Sequence, residues 1–157
     1  MRLTRTFSYA APTAAVVAMM QDPAFWDRVA EATGALSSAT TVSTTAGNVV
    51  VVSDQQQAVV GVPSFAKKFV GESTHAIITT TWSGERGDYG VATPGKPTTL
   101  GGSVAVTGKG DGAEVTYDLD VKASVPLIGG KLEKLVCDLT GEGFEKEHAV
   151  GVAWLAG

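Results

Sequence analysis

Two histidines, one cysteine, a lone arginine on an apolar strand face and a scatter of carboxylates are the residues that could carry chemistry here. Nucleophilic catalysis needs a histidine oriented by a carboxylate and set beside a hydroxyl or thiol. The spacing of His75 and His148 assembles no such set. Zinc binding needs His or Cys pairs at helical or turn spacing, and Glu145-Lys146-Glu147-His148 does not reproduce one. A single cysteine, Cys137, forms neither a cage nor an internal disulfide, and reads as a small core hydrophobe. No metal and no cofactor is expected. His148, flanked by Glu145 and Glu147, reads as a solvated helix residue. His75 faces either a ligand or water. Arg5 sits on a strand face with Leu3, Phe7 and Tyr9. It either reaches solvent near a sheet edge or acts as a cavity cation for an anionic group. Tyr117 suits a core, but its hydroxyl needs a partner once buried.

Bulk properties exclude several classes. The chain has 157 residues, 12 basic and 16 acidic, and a formal net charge of -4. Its longest basic cluster is Lys67-Lys68, which is no counterion-displacing face, so nucleic acid is not an expected partner. Hydrophobic residues make up 44% and charged residues 18%, the balance of one globular domain spanning 1–157. No run reaches the roughly 18 apolar residues of a membrane span. The basic Met1 to Arg5 and the apolar Tyr9 to Met20 superficially match a secretory leader. The alternation from Thr4 to Tyr9, the early Pro12 and the lack of a clear cleavage site argue for a cytoplasmic protein instead. The glycines form neither a Walker nor a dinucleotide pattern. Gly101-Gly102 reads as a sheet bulge and Gly129-Gly130 as a strand-to-helix corner.

The elements that must position these residues follow from periodicity. Arg2 to Tyr9 alternates as a strand. Pro12 opens a short helix, Thr13 to Met20. Asp22-Pro23 caps a second, Pro23 to Thr33, which Gly34 ends. Beta-branched residues from Thr40 to Val52 make two strands around Ala46-Gly47-Asn48, and Gln55 to Ala58 drifts into irregular chain. Val59 to Val70 reads as a short helix or an apolar loop. Ser73 to Ser83, Asp88 to Thr93 and Thr98 to Gly108 are strands. Ala113 to Ala123 is the cleanest, with Val115, Tyr117, Leu119 and Val121 on one face. Leu132, Leu135, Val136, Leu139, Val150, Ala153 and Trp154 then recur at helical spacing. Gly141, Gly143 and Gly151 each weaken that helix by about 1 kcal/mol relative to alanine, so they leave room for a strand or a ligand. The fold class is therefore α+β. A curved antiparallel sheet of about six to seven strands wraps a long C-terminal helix, with two short helices after the first strand.

Particular residues carry a resemblance. Phe7-Ser8-Tyr9 and Asp22-Pro23-Ala24-Phe25 open the chain, and Pro63 with Ala66-Lys67-Lys68-Phe69-Val70-Gly71 falls in its middle. Trp82 closes a strand, and Val125-Pro126-Leu127-Ile128-Gly129-Gly130-Lys131-Leu132-Glu133 leads into the last helix. Together these resemble the START-like (SRPBCC, helix-grip) superfamily, which includes the birch-pollen-allergen and polyketide-cyclase groups. Within it the chain is similar to an actinobacterial domain-of-unknown-function family (2505). The resemblance implies a small hydrophobic or amphipathic ligand, lipid or polyketide-like, held between sheet and helix. The residues expected around that space are Tyr117, Leu119, Val121, Trp82, His75, Phe65, Phe69, Leu139, Trp154 and Arg5. The expected function is a carrier or sensor, with the Val59 to Val70 segment as a lid. One alternative is a polyketide-cyclase or lyase-type enzyme using His75, Tyr117 or Arg5. Another is a protein-interaction module, such as a homodimer, without ligand.

Overall fold

In the computed structural model, which describes residues 1–157, every period-two segment becomes a strand of one sheet. The strands are β1 (Arg2–Tyr9), β2 (Ala35–Thr45), β3 (Asn48–Ala58), β4 (Ser73–Ser83), β5 (Arg86–Ala92), β6 (Thr98–Lys109) and β7 (Gly112–Ala123). The helices are α1 (Thr13–Met20), α2 (Pro23–Ala32), α3 (Ser64–Val70) and α4 (Gly129–Ala156). All neighbouring strands are antiparallel in the order β1-β7-β6-β5-β4-β3-β2, so β1 and β2 are the edges. Two-residue turns set the register of the hairpins. Ala46 and Gly47 both take positive φ, 52° and 82°, between Thr45 and its partner Asn48. Only a turn of that hand follows the twist of the strands it joins.

The helical starts and stops obey local chemistry. The Asp22 carboxylate accepts a hydrogen bond from the Ala24 amide at 2.9 Å, and Pro23 occupies the first turn. Gly34, at φ 83°, carries the chain out of α2. Helix α4 lies against β7, β1, α2 and α1. Two of its glycines mark where β1 reaches it. The Arg5 guanidinium lies over Gly141, and the Tyr9 ring lies so close to Gly151 that a Cβ there would sit 2.7 Å from it. The space left in the helix is thus taken by side chains of a strand. The apolar core joins α1, α2, β1, β7 and α4 through Val16, Met19, Phe25, Trp26, Val115, Tyr117, Leu119 and Phe144, among others.

Three local expectations change. Gln55 to Ala58 is not irregular; it completes β3, paired residue by residue with β4 from Ala76 to Ser73. Gln55 donates along the strand to Ser53, and Gln57 donates to Gln55 and to Thr33 at the end of α2. Gly101-Gly102 is no bulge, since β6 pairs with both neighbours without a register shift. Glycine is needed at 102 because a Cβ would fall 2.1 Å from the Asp118 carbonyl oxygen. The one irregularity lies between Ala35 and Ser37. Gly129-Gly130 forms the first residues of α4, and the chain turns before them at Leu127, φ 71°.

Candidate functional site

Strand alternation sorts the side chains onto two faces. Tyr117, Leu119 and Val121 of β7 point inward, and register then places Leu3, Arg5, Phe7 and Tyr9 of β1 on the same face. Through β6 it also places Leu100, Gly102, Val104 and Val106 there. Tyr89 and Val91 of β5, and Ile78, Thr80 and Trp82 of β4, complete that concave surface. Because α4 lies toward β1 and β7, this surface is covered unevenly. Tyr117, Leu119, Val121, Val104 and Val106 are fully buried, whereas Ile78, Val91 and Leu100 are half-buried.

At the covered end sits a carboxyl. Glu147 of α4 is only 5% exposed. Its Oε2 accepts a hydrogen bond from the Tyr117 hydroxyl at 2.6 Å. Tyr117 stacks on Phe144 with ring centroids 4.0 Å apart, and Tyr89 meets both rings edge-on at 5.2 and 6.2 Å. Burial in this aromatic shell pushes the Glu147 carboxyl up to about 7, against the opposing pull of the Tyr117 hydrogen bond. The phenols of Tyr9, Tyr89 and Tyr117 are raised too, first by burial and then by the negative charge Glu147 can carry. A carboxyl that changes charge near neutrality can hold or release a proton, or bind a donor, inside an otherwise apolar interior.

A second polar group lies at the other edge. Asp27 of α2 accepts from Ser38 at 3.0 Å and Thr40 at 2.9 Å, and Thr40 reaches Ser53 at 2.9 Å. Gln55 donates to Ser53, and Gln57 donates to Gln55 and Thr33. This network fastens α2 to β2 and β3. The indole Nε1 of Trp82, by contrast, is buried without a partner.

The expected site residues fall in different places. Tyr117, Leu119, Val121 and Trp82 share the concave core and are at most 1% exposed. Phe65 and Phe69 are half-buried on α3, the segment read as a lid. Trp154 packs edge-on against Phe25, with the Arg28 guanidinium 4.9 Å from its ring centre. His75 lies on the outer face, 2.7 Å from Asp54 Oδ1, because alternation with Ala76 turns it away from the interior. Arg5 is exposed on edge strand β1 and donates to the Thr4 carbonyl. Leu139 is 42% exposed, off the buried stripe of α4. His148 is not a solvated residue: it is half-buried, stacked on Phe7 at 5.2 Å and within 2.8 Å of the Ser8 carbonyl. Cys137 is buried, and burial raises its thiol.

Glu147 is the residue the sequence reading passed over. The signal was there: Cys137, Gly141, Phe144, Glu147 and Gly151 are spaced by four, three, three and four residues, one face of a helix. Following the larger side chains Leu139 and Val150 instead rotates the stripe and leaves Glu147 with the solvated charges. Two depressions of about 430 and 480 Å³ lie on the outer face of the sheet, around Thr79, Thr81 and Gly90 and around Gly101, Ser103 and Asp118. Glu147 lines neither, but Tyr89, Val91 and Leu100 also border the first. No group of three or more potential ligating side chains forms a metal site, and no helix is long and apolar enough to cross a membrane.

This architecture has relatives of known structure. The protein TTHA0849 from Thermus thermophilus matches with a TM-score of 0.70 at 17% identity, over 99% of both chains. A conserved protein from Geobacillus kaustophilus matches at 0.63 and 15% identity, covering 98% of this chain and 95% of that one. A START superfamily protein from Mycobacterium smegmatis matches at 0.60 and 14% identity, covering 97% and 94%. At these identities the likeness is one of fold, and the fold is START-like. No curated protein matches the chain. The family model described as "Protein of unknown function (DUF2505)" matches residues 4–155, nearly the whole chain, and the protein belongs to that family.

Proposed function

We propose that this protein holds a small, predominantly apolar molecule on the concave face of its sheet, between β4–β6 and the helices α3 and α4. The carrying observation is the uneven cover of that face. Ile78, Val91 and Leu100 point inward yet stay half-exposed, while their neighbours toward β7 are sealed by α4. Inward apolar side chains left at the solvent are stabilised when another apolar surface covers them, at about 25 cal/mol per Å² before ordering costs. The START-like fold supports the reading by analogy, since a sheet curled around one helix supplies such a face. Helix α3, with Phe65 and Phe69 half-buried, is the segment to which we assign closure over it. The ligand is lipid-like or polyketide-like in size and polarity, and binding needs no reaction.

Titration with the neutral fluorophore N-phenyl-1-naphthylamine tests this. The wild-type chain should bind it, and Leu100→Gln and Val91→Gln should each weaken binding about fivefold, the loss of roughly 1 kcal/mol of apolar contact. Both positions are half-exposed, so the fold should persist by circular dichroism. Equal affinity in all three proteins, or none in the wild type, would overturn the proposal.

A further inference from the structure

We propose that the molecule bound on this face is a cationic amphiphile of the alkylammonium class, its charged end directed to Glu147, and that anionic amphiphiles are rejected. The inference rests on the concave-face reading and adds the polarity of the ligand to it.

The argument starts from where charge lies. The buried polar and charged residues are Ser53, Gln55, Thr80 and Glu147, so the interior holds one ionisable acid and no base. Eleven of the twelve lysines and arginines are exposed; Lys96 alone is half-buried, and its ammonium donates to the Val70 carbonyl at the rim. The groups facing Glu147 are neutral at physiological pH. They are Tyr9 from β1, Tyr117 from β7 and Tyr89 from β5. Arg5 of β1 shares the inward face and lies over Gly141, but it is exposed and donates to the Thr4 carbonyl. Helix α1 has no ionisable side chain; on α2, Arg28 lies over Trp154 and Asp27 is held by Ser38 and Thr40. On α4 itself His148 is turned toward Phe7 and Ser8.

A buried carboxylate with no counter-charge is stabilised by a cation that arrives with the ligand. A carboxylate headgroup directed to Glu147 meets like charge. Tyr89 links the two parts of the site, since Val91, two residues along the same strand face, belongs to the half-open apolar surface.

The same arrangement sets a pH signature. Pairing with an ammonium requires Glu147 to be ionised, and free Glu147 changes charge near 7. Between pH 6 and pH 8 the affinity for an ammonium that stays protonated should therefore rise about tenfold, with a proton released. Displacement of N-phenyl-1-naphthylamine by dodecylammonium and by dodecanoate, each below its micelle concentration, reads this out. Dodecylammonium should compete at least about tenfold better at pH 8, equivalent to roughly 1.4 kcal/mol, and its advantage should shrink at pH 6. Glu147→Gln should lose both the preference and its pH dependence. Tyr117→Phe, which keeps the carboxyl, should retain the preference. Dodecanoate competing as well as dodecylammonium in the wild type overturns the inference while leaving the apolar site intact. Failure of the naphthylamine itself to bind overturns the site reading and this inference together.

Discussion

The Tyr117 hydroxyl and the Glu147 carboxyl meet at 2.6 Å across the sheet–helix interface. Each is the other's partner at the bottom of an aromatic cluster, and α4 is joined to β7 there by a hydrogen bond as well as by packing. The bond is strong because one partner can be ionic, yet it does not compensate fully for removing a carboxylate from water.

Stability should fall with pH relative to a variant that cannot ionise. The carboxyl is raised from 4.5 to about 7, so the folded state holds a proton that the unfolded chain releases. The stabilisation is complete below pH 4.5, is lost progressively as pH rises toward 7, and changes no further beyond. Urea unfolding of wild type and Glu147→Gln should diverge by about 3 kcal/mol over that window, the wild type losing ground. Parallel curves would mean that Glu147 is hydrated.

Removing the phenol should push the carboxyl further up. The Tyr117 hydrogen bond is the influence that lowers it. Tyr117→Phe keeps the stack on Phe144 and should cost about 1–3 kcal/mol near neutrality. Carbon-13 NMR of the Glu147 carboxyl should show its titration midpoint above the wild-type value.

Glycine-to-alanine changes in α4 should have opposite signs. At Gly143 an added Cβ meets nothing within 4 Å, so alanine should stabilise by about 0.5–1 kcal/mol through helix propensity. At Gly151 the same atom strikes the Tyr9 ring at 2.7 Å. Tyr9 is buried against His148, so it cannot swing aside freely, and the melting temperature of Gly151→Ala should fall.

Gly102→Ala should be far worse than either. Its Cβ would sit 2.1 Å from a backbone oxygen of β7, and backbone cannot rotate out of the way as a side chain can. Loss of β6–β7 pairing over part of its length is expected, with a drop in soluble yield and in strand signal by circular dichroism.

Much of this molecule was determined by sequence alone, because strand and helix periods are local properties. The alternation of Val115 to Val121, the Asp22-Pro23 cap, Gly34 and the stretch from Pro126 to Glu133 were enough for the α+β order and the START-like resemblance. Only the tertiary structure decided which charges lie inside. Glu147 and His148 are adjacent in a run of charged residues, but rotation of α4 against β1 and β7 buries one and lays the other on Phe7. Likewise the polar Gln55 gives no sign of its burial until β2 brings Thr40, itself held by Asp27 of α2, to Ser53 beside it. The phase of a long helix is set by contacts with β7 and with β1, a strand more than a hundred residues away, and a stripe lightened by Gly141 and Gly151 does not announce it. The buried acid that gives the interior its polarity was therefore visible only once β1 had taken its place against α4.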